Sequence, residues 1–268
     1  MTGYRLKLTA PLEARLDFSG VTPAALAGLG LDGVARKEVL LGTRRVLLGD
    51  LFEVSEAASE ALVVSGDPRL DFVAADLADG EILVEGPVGV LAGARMSGGR
   101  LVVRGDAGES LAAGLTGGRI EVSGAAGARL GCALPGERLG MRGGMVSVAG
   151  DVGAGLGERL RGGLVLVGGN AGAGAANDLI AGTIAVAGRL GPDAGRGMRR
   201  GTLILAQTPE PPAPGFVDTG SHDLVALLLL ARRVPALADL FGGGLSGRAQ
   251  RLAGNRLVGG EGEILLLQ

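Results

Sequence analysis

Seven arginines precede the glycine-rich turns in the middle of the sequence, and they are the side chains best suited to binding. They are Arg138, Arg142, Arg159, Arg161, Arg196, Arg199 and Arg200. Guanidinium groups suit carboxylates because their planar forks donate paired hydrogen bonds. If the turns stack, several of these residues share one edge, here named the arginine edge. It can bind an acidic partner or a polyanionic tail, or its members can pair on the surface with Glu137 and Glu158.

The other reactive side chains offer no catalytic arrangement. His222 is the only histidine and lies between Ser221 and Asp223, but a triad needs residues that converge in space rather than in sequence. We interpret His222 as a capping or surface residue. Cys132 is the only cysteine, which excludes an intrachain disulfide and a thiolate metal cluster built from this chain alone.

Four aspartates follow a glycine at a strand end: Asp50, Asp67, Asp106 and Asp151. Paired carboxylates can do acid–base chemistry, but aspartates at corners more often accept backbone N–H groups, and we predict that role. No HExxH, CxxC, GxSxG or GxxxxGK[ST] motif occurs. The sequence therefore predicts no catalytic residue, no metal ligand set and no cofactor held by this chain alone.

The glycines around these residues recur at a fixed interval. The repeated position is occupied by Gly80, Gly99, Gly118, Gly144, Gly163, Gly182 and Gly201. Every step is 19 residues except one of 26, and we place the seven extra residues in an exposed loop at CALPGER, Cys132 to Arg138. Such a period indicates a stack of similar units.

After each of these glycines comes a short run whose second and fourth residues share one face of a strand. They are Ile82, Val84, Leu101, Val103, Ile120, Val122, Val146, Val148, Val165, Val167, Ile184, Val186, Leu203 and Leu205. All are aliphatic, and the chain has six aromatic residues and no Trp, which suits narrow coils. The sequence predicts an all-β fold, a right-handed parallel β-helix with coils of about 19 residues.

The outward positions of the same runs change character along the repeat. The early ones are charged: Glu81, Glu85, Arg100, Arg104, Arg119 and Glu121. The later ones are small or apolar: Met145, Ser147, Ala149, Leu164, Leu166, Thr183, Ala185, Ala187, Thr202 and Ile204. A patch of this size needs a cover. Either a helix at Leu224 to Leu230 folds back over it or a partner subunit does.

Three segments are expected: 1–48 with a strand and a short helix, 49–206 with the β-helix, and 207–268 as a Pro-rich exit followed by capping elements. Thr22 is expected to cap the first helix, with Pro23 at its first position. A second helix is expected from an N-cap at Ser221, broken near Val234 by Pro235, before a last strand.

Charge and hydropathy exclude several classes of protein. The net charge of -2 gives no electrostatic reason to bind nucleic acid or an anionic membrane. The longest apolar stretch is too short to span a bilayer, and the N-terminus lacks the apolar core of a signal peptide. A cytoplasmic location is expected.

The repeat motifs resemble a known family. The GG-x-aliphatic-x-Val-x-G units, with GERLGMRGG and GRGMRRGT between them, resemble the Gly-rich domain shared by glutamate synthase C-termini and the C subunit of formylmethanofuran dehydrogenase. TPAALAGL and LLGTRRVLLGDLFEV resemble that C subunit more closely. The resemblance covers about residues 1–206. Arg-rich, Lys-poor usage favours the relative found in methylotrophs, the C subunit of the formyltransferase/hydrolase complex.

The resemblance implies a non-catalytic scaffold subunit in formaldehyde oxidation. Such a complex interconverts formyl-tetrahydromethanopterin, a formylated methanofuran-like carrier and formate. The implied partners are an amidohydrolase-like subunit that holds zinc, a dehydrogenase-B-like subunit and a formyltransferase subunit. The arginine edge would then lie near the acidic tail of the carrier. The C subunit of a formylmethanofuran dehydrogenase, and a stand-alone structural domain like that of glutamate synthase, remain alternatives.

Overall fold

The protein is mostly β, with a 13-stranded, mostly parallel sheet and a smaller sheet of four strands in the part of the chain that the structure describes. The structure is a computed structural model that describes residues 3–210 and 213–268. One continuous apolar cluster runs from Tyr4 near the N-terminus to Leu266 near the C-terminus.

The N-terminal segment builds most of the small sheet and starts the large one. Its elements are β1 (Tyr4–Leu8), β2 (Leu16–Asp17), α1 (Pro23–Leu26), α2 (Gly30–Ala35), β3 (Glu38–Leu41), β4 (Arg44–Leu47), α3 (Leu48–Leu51) and β5 (Phe52–Glu56). The predicted cap of α1 is confirmed, since the Ala25 N–H donates to Thr22 Oγ1 at 3.3 Å and Pro23 begins the helix.

The repeat forms parallel strands in register. They are β6 (Leu62–Ser65), β8 (Glu81–Glu85), β9 (Arg100–Val103), β10 (Arg119–Val122), β11 (Met145–Val148), β12 (Leu164–Val167), β13 (Thr183–Val186) and β14 (Thr202–Leu205). Between β6 and β8, the short strand β7 (Leu70–Asp71) pairs with β2 in the small sheet. From β8 to β14 each strand pairs with the next along the repeat, for example Ile82 with Leu101. The predicted inward face is confirmed, because none of its fourteen aliphatic residues is more than 4% exposed.

A second ladder joins the same units at a separate place. Single parallel bridges link Val88, Ala107, Ala126, Val152, Ala171 and Leu190 in turn. At the entry to each strand from β8 to β14, the repeated glycine has a φ between 68° and 102°. That region is open to glycine and strained for other residues, which explains why this position never varies along the repeat.

The one long step of the repeat contains an exposed loop, but it is shorter than the predicted segment Cys132 to Arg138, because Cys132 and Ala133 are buried. Before it, the Gly114 N–H donates to the Cys132 carbonyl, and after it the Gly140 N–H donates to the Arg159 carbonyl. Residues 135–138, between these two bonds, are exposed. The extra residues therefore leave the strand pairing of β10 with β11 intact.

The C-terminal segment extends the large sheet beyond β14. Its elements are β15 (Val217–Asp223), α4 (Val225–Arg233), α5 (Pro235–Leu240), β16 (Arg248–Gly254), a 3-10 helix (Arg256–Val258) and β17 (Gly262–Leu267). The predicted last strand is confirmed: β17 pairs in parallel with β14, and β16 and β15 follow antiparallel. These strands cover the open end of the repeat.

The predicted start of the second helix is wrong. Ser221 lies in β15 rather than at an N-cap, and Leu224 precedes the helix without a side-chain cap. Residues 217, 218 and 221–223 pair with β16 instead, and this long-range contact was not visible in the local sequence. The break at Pro235 is confirmed, because α4 ends at Arg233 and α5 begins at Pro235.

The later part of the apolar outward patch is covered by the chain's own helices, whereas Ala149 is exposed. Leu166, Ala185 and Ile204 are at most 1% exposed and pack in one cluster with Leu227 of α4 and Leu237 of α5. Of the two covers left open by the sequence, the internal one is therefore present over these strands.

Candidate functional site

The arginine edge lies at one corner of the stacked units. The backbone N–H groups of Arg161, Ile180 and Arg199 donate to carbonyls of the preceding unit, each 20 residues earlier in sequence. Arg142 precedes its glycine pair in the same way as Arg161. These residues therefore form one column, in which Ile180 separates Arg161 from Arg199.

The remaining arginines lie beside this column rather than in it. The Arg159 N–H donates to the Asn177 carbonyl, and the Arg196 carbonyl accepts from Asp178, which places both on neighbouring positions of the same corner. Arg138 lies in the exposed inserted loop. All seven arginines are exposed, so the edge faces outward.

Most arginines of the edge form no ion pair with a described residue. Among residues 3–210 and 213–268, one of the seven has an ion pair: Arg200 Nε lies 3.5 Å from Glu261 Oε2. The pairing with Glu137 and Glu158 considered from sequence does not form within these ranges. Each of these carboxylates instead lies near another arginine. The pKa of Arg95 is raised mainly by its hydrogen bond to Asp76, with a smaller contribution from the charge of Glu137. The pKa of Arg129 is raised mainly by Cys132, with a smaller contribution from the charge of Glu158.

The outward face of β8 to β10 contrasts with this edge because its charges pair with one another. Arg100 binds Glu81 at 2.9 Å and holds both carboxylate oxygens of Glu121, at 3.1 and 3.0 Å. Arg119 also contacts Glu121, at 2.6 Å. The hydrogen bonds from Arg100 lower the pKa of Glu121, and the nearby Arg119 charge adds to the effect. This face is therefore internally neutralised, as a structural surface would be.

Replacing Arg100 by glutamine should weaken the protein slightly and in a pH-dependent way. A lowered folded pKa stabilises the protein above the ordinary Glu value of 4.5, and that stabilisation is lost as the pH falls through the folded pKa. Because the pair is largely solvated, we expect a loss of about 0.5 kcal/mol at pH 7, which shrinks as the pH falls below 4.5 and through the lowered folded pKa of Glu121. Urea unfolding across pH measures it. Arg104→Gln, at an exposed position without an ion pair to any described residue, should show no such dependence.

The corner aspartates have the predicted structural role. Asp106 Oδ1 accepts the Ala125 N–H at 2.8 Å, and Asp151 Oδ1 accepts the Asn170 N–H at 2.6 Å, each one unit further along. Asp50 and Asp67 likewise accept backbone N–H groups. Their carboxylates are engaged in turns and do not form catalytic pairs.

The remaining reactive residues are also accounted for by local contacts. The His222 ring nitrogen lies 3.1 Å from the Thr219 carbonyl on the edge strand β15, and the neighbouring Ser221 hydroxyl bonds Gln268 instead. Cys132 is buried, with its sulfur 3.8 Å from Ser110 Oγ and 3.8 Å from Arg129 Nη2. His222 is thus a surface residue, although not beside a helix cap.

Neither a metal cluster nor a membrane-spanning helix occurs among the described residues. Within 3–210 and 213–268, no group of three or more His, Cys, Asp or Glu side chains is arranged to hold a metal ion. In the same ranges, no helix is long and apolar enough to cross a membrane.

Sequence reasoning missed a groove between α1 and the first repeat strands. It has a volume of about 910 Å³ and a mostly apolar lining. In the sequence the groove is only weakly indicated, by two small residues that are both exposed: Ala24 in α1 and Ala27 just after the helix. Also missed were Val225 and Leu229, which are 67% and 57% exposed on the outer side of α4.

The structure is similar over nearly its whole length to a solved chain. That chain belongs to the X-ray crystal structure of the formyltransferase/hydrolase complex (FhcABCD) from Methylorubrum extorquens in complex with methylofuran. The match covers 98% of this chain and 99% of that chain, with a TM-score of 0.91 and 40% sequence identity.

Curated relatives give the same family from sequence. The chain is 41% identical over 85 residues to the C subunit of the formyltransferase/hydrolase complex of Methylorubrum extorquens. The matched residues make up 31% of this chain and 32% of the relative. It is 33% identical over 88 residues to the C subunit of tungsten-containing formylmethanofuran dehydrogenase 2 of Methanothermobacter thermautotrophicus. Here the matched residues make up 31% of this chain and 33% of the relative. The chain thus matches about a third of the length of these curated relatives.

No family model matches the sequence. The structural match nevertheless extends over both chains almost completely at 40% identity, and the sequence matches name the same subunit. This chain belongs to the family of C subunits found in formyltransferase/hydrolase complexes and formylmethanofuran dehydrogenases.

Proposed function

We propose that this chain is a non-catalytic scaffold subunit of a formyltransferase/hydrolase complex. That complex would interconvert formyl-tetrahydromethanopterin, a formylated methanofuran-like carrier and formate in formaldehyde oxidation. The observation that carries the proposal is the match over 98% of this chain to a chain of a complex solved with methylofuran. The corner aspartates, engaged in backbone hydrogen bonds, fit a structural role.

The second candidate is the C subunit of a formylmethanofuran dehydrogenase. The 33% identity to a tungsten-containing enzyme favours it, but over a stretch of 88 residues. The two candidates predict different companions. A formyltransferase subunit belongs to the first, and a redox subunit with tungsten belongs to the second.

The finer architecture is part of the proposal. We propose a right-handed parallel β-helix with coils of about 19 residues over 49–206, with 1–48 and 207–268 as terminal segments. Its support is the pair of parallel ladders, one of strands and one of single bridges, that join each unit to the next. Two ladders with glycine corners suit a coil that closes on itself.

The proposed partners are an amidohydrolase-like subunit, a dehydrogenase-B-like subunit and a formyltransferase subunit, with zinc on the first of these. A cytoplasmic location is proposed with them, since the lone Cys132 gives the chain no disulfide to favour an oxidising compartment. The arginine edge would lie against carboxylates, on a neighbouring subunit or on the acidic tail of the carrier. Its support is the set of exposed guanidinium groups without ion pairs to described residues.

Native purification of the tagged chain from its source, followed by mass spectrometry, tests the scaffold role. We expect amidohydrolase-like and formyltransferase-like subunits to co-purify, with formyl-transfer activity in the pool. Recovery of a redox subunit with tungsten would favour the second candidate. A chain that purifies without partners would contradict both.

Reversing the charge of the arginine column should weaken the assembly. In the triple variant Arg142→Glu, Arg161→Glu and Arg199→Glu, we expect at least a tenfold loss of one subunit or of the carrier, since each charge pair across an interface adds coupling. Quantitative mass spectrometry measures the subunits, and chromatography of the extracted carrier measures its retention.

The control for this experiment is Arg104→Glu, Arg232→Glu and Arg233→Glu. It makes the same change in net charge at exposed positions away from the arginine edge. Normal retention of subunits and carrier in the column variant would remove the arginine edge from the proposal. Equal loss in both triple variants would indicate a general charge effect.

A further inference from the structure

We propose that the groove beside α1 receives a segment of a partner subunit that presents a Lys or Arg next to an apolar side chain. The inference rests on the proposed scaffold role, and it adds a docking site at the opposite end of the repeat from the α4–α5 cover. The groove is formed where the N-terminal segment meets the first repeat strands.

The groove has an apolar body of a size suited to binding. Its volume is about 910 Å³, within the range of pockets that enclose a ligand or side chains of a partner. Tyr4 and Leu62 form its buried base, 8% and 1% exposed. Ala24 and Ala27 line it with small exposed side chains, so an incoming apolar group meets little steric hindrance.

At one end of the groove, Pro23 packs closely against the repeat. A Cβ placed on Gly80 would lie 3.2 Å from both Cβ and Cγ of Pro23. The Thr22 hydroxyl caps α1 just before this contact. The helix is therefore fixed against the stack, and the groove is preformed rather than opened by its occupant.

Charge at the groove identifies the kind of occupant. Among the described residues that line the groove, the charged ones are the carboxylates Glu60, Asp79 and Glu81 and one cation, Arg100, which is already shared between Glu81 and Glu121. Glu60 has a partner of its own. Asp79 accepts the backbone N–H of the next residue at 2.7 Å and has no ion pair with a described residue. A cationic side chain would therefore complement Asp79, whereas an acidic one would be repelled.

The sign of this charge is opposite to that of the arginine edge. A partner surface that fits the arginine edge presents carboxylates, and a segment that fits the groove presents a cation. The two sites therefore select different surfaces, which would fix the orientation of the scaffold among its partners.

A photocrosslink in the purified complex tests the occupant. The chain carries p-benzoylphenylalanine in place of Ala27, an exposed position where the larger group should not disturb folding. We expect a crosslinked peptide from another subunit of the complex, with a Lys or Arg within two residues of the attachment. A crosslink to an uncharged or acidic segment, a crosslink within this chain, or none at all would overturn the inference.

A binding measurement with the crosslinked sequence completes the test. Tyr4 lines the groove and is the only tyrosine in a chain without Trp, so tyrosine fluorescence reports on the groove directly. A Trp-free and Tyr-free synthetic peptide of that sequence should change the emission of the isolated chain saturably. Asp79→Lys should weaken binding about fivefold, and the control Asp239→Lys, on α5, should not.

These outcomes separate the inference from the scaffold role. If the unmodified chain purifies without any other subunit, the scaffold role fails. If partners do co-purify but Ala27 gives no cationic crosslink, the scaffold role stands and the groove is not its docking site.

Discussion

Replacing Gly118 by alanine should destabilise the protein by about 3 kcal/mol or more. Gly118 has a φ of 82°, where an alanine costs about 1–2 kcal/mol. A Cβ there would also lie 2.6 Å from the Gly98 carbonyl oxygen, a backbone atom of the preceding unit. Because that carbonyl belongs to the stack, relief of the contact requires two units to separate. Urea or thermal unfolding measures the loss.

Gly136→Ala is the matched control. Gly136 has nearly the same φ, 84°, but lies in the inserted loop, and a Cβ there would meet no atom within 4 Å. We expect it to cost about 1 kcal/mol, from backbone strain alone. Equal losses at the two positions would show that contact between units contributes nothing to the requirement for glycine.

Replacing Leu237 by aspartate should detach α4 and α5 from the sheet while the repeat stays folded. Leu237 is fully buried against the apolar outward residues of the later strands. Loss of the leucine and burial of a carboxylate without a partner should destabilise the packing of the helices on the sheet by about 4 kcal/mol. Hydrogen exchange should become fast in residues 225–240 and remain slow in β12 and β13.

Leu229→Asp is its control on the adjoining helix. Leu229 is 57% exposed, so the same chemical change should alter stability by at most about 0.5 kcal/mol. If Leu237→Asp instead unfolds the strands together with the helices, the cover and the repeat form a single cooperative unit. That result would contradict the local response expected here.

The strands of the repeat could be predicted because their signal is local and recurs. Each run alternates between the two faces of a strand, and a glycine with positive φ marks its start, so one unit predicts the next. Val165 and Ile184, for example, are paired neighbours that the period of 19 aligns directly. The inserted loop followed from the single interruption of that period.

Features that depend on contacts between distant residues could not be predicted in the same way. Residues 217–223 form a strand because β16 lies beside them, about 30 residues later in sequence. Nothing in the local pattern around Ser221 indicates that partner, whereas the capping pattern was visible. The groove likewise depends on how α1 meets Gly80, far along the chain.

The geometry of the candidate site was predictable in part. The period of the repeat places Arg142, Arg161 and Arg199 at equivalent positions, and the backbone hydrogen bonds between units follow the same column. Whether Glu137 and Glu158 neutralise them depends on side-chain directions, which the period does not give. The structure leaves six of the seven arginines without an ion pair to a described residue.

The last parallel strand, β17, pairs with β14 although it lies about 60 residues later in sequence. The number of repeat units between the two terminal segments can therefore vary. Loss or gain of one 19-residue unit at β10, away from the groove and from the strands under α4 and α5, would leave both terminal segments with the neighbours they need. It would change the separation of the groove and the α4–α5 cover by about 4.8 Å, the width of one strand. Evolution could thus tune the distance between the groove and the α4–α5 cover in steps of one strand without changing either of them.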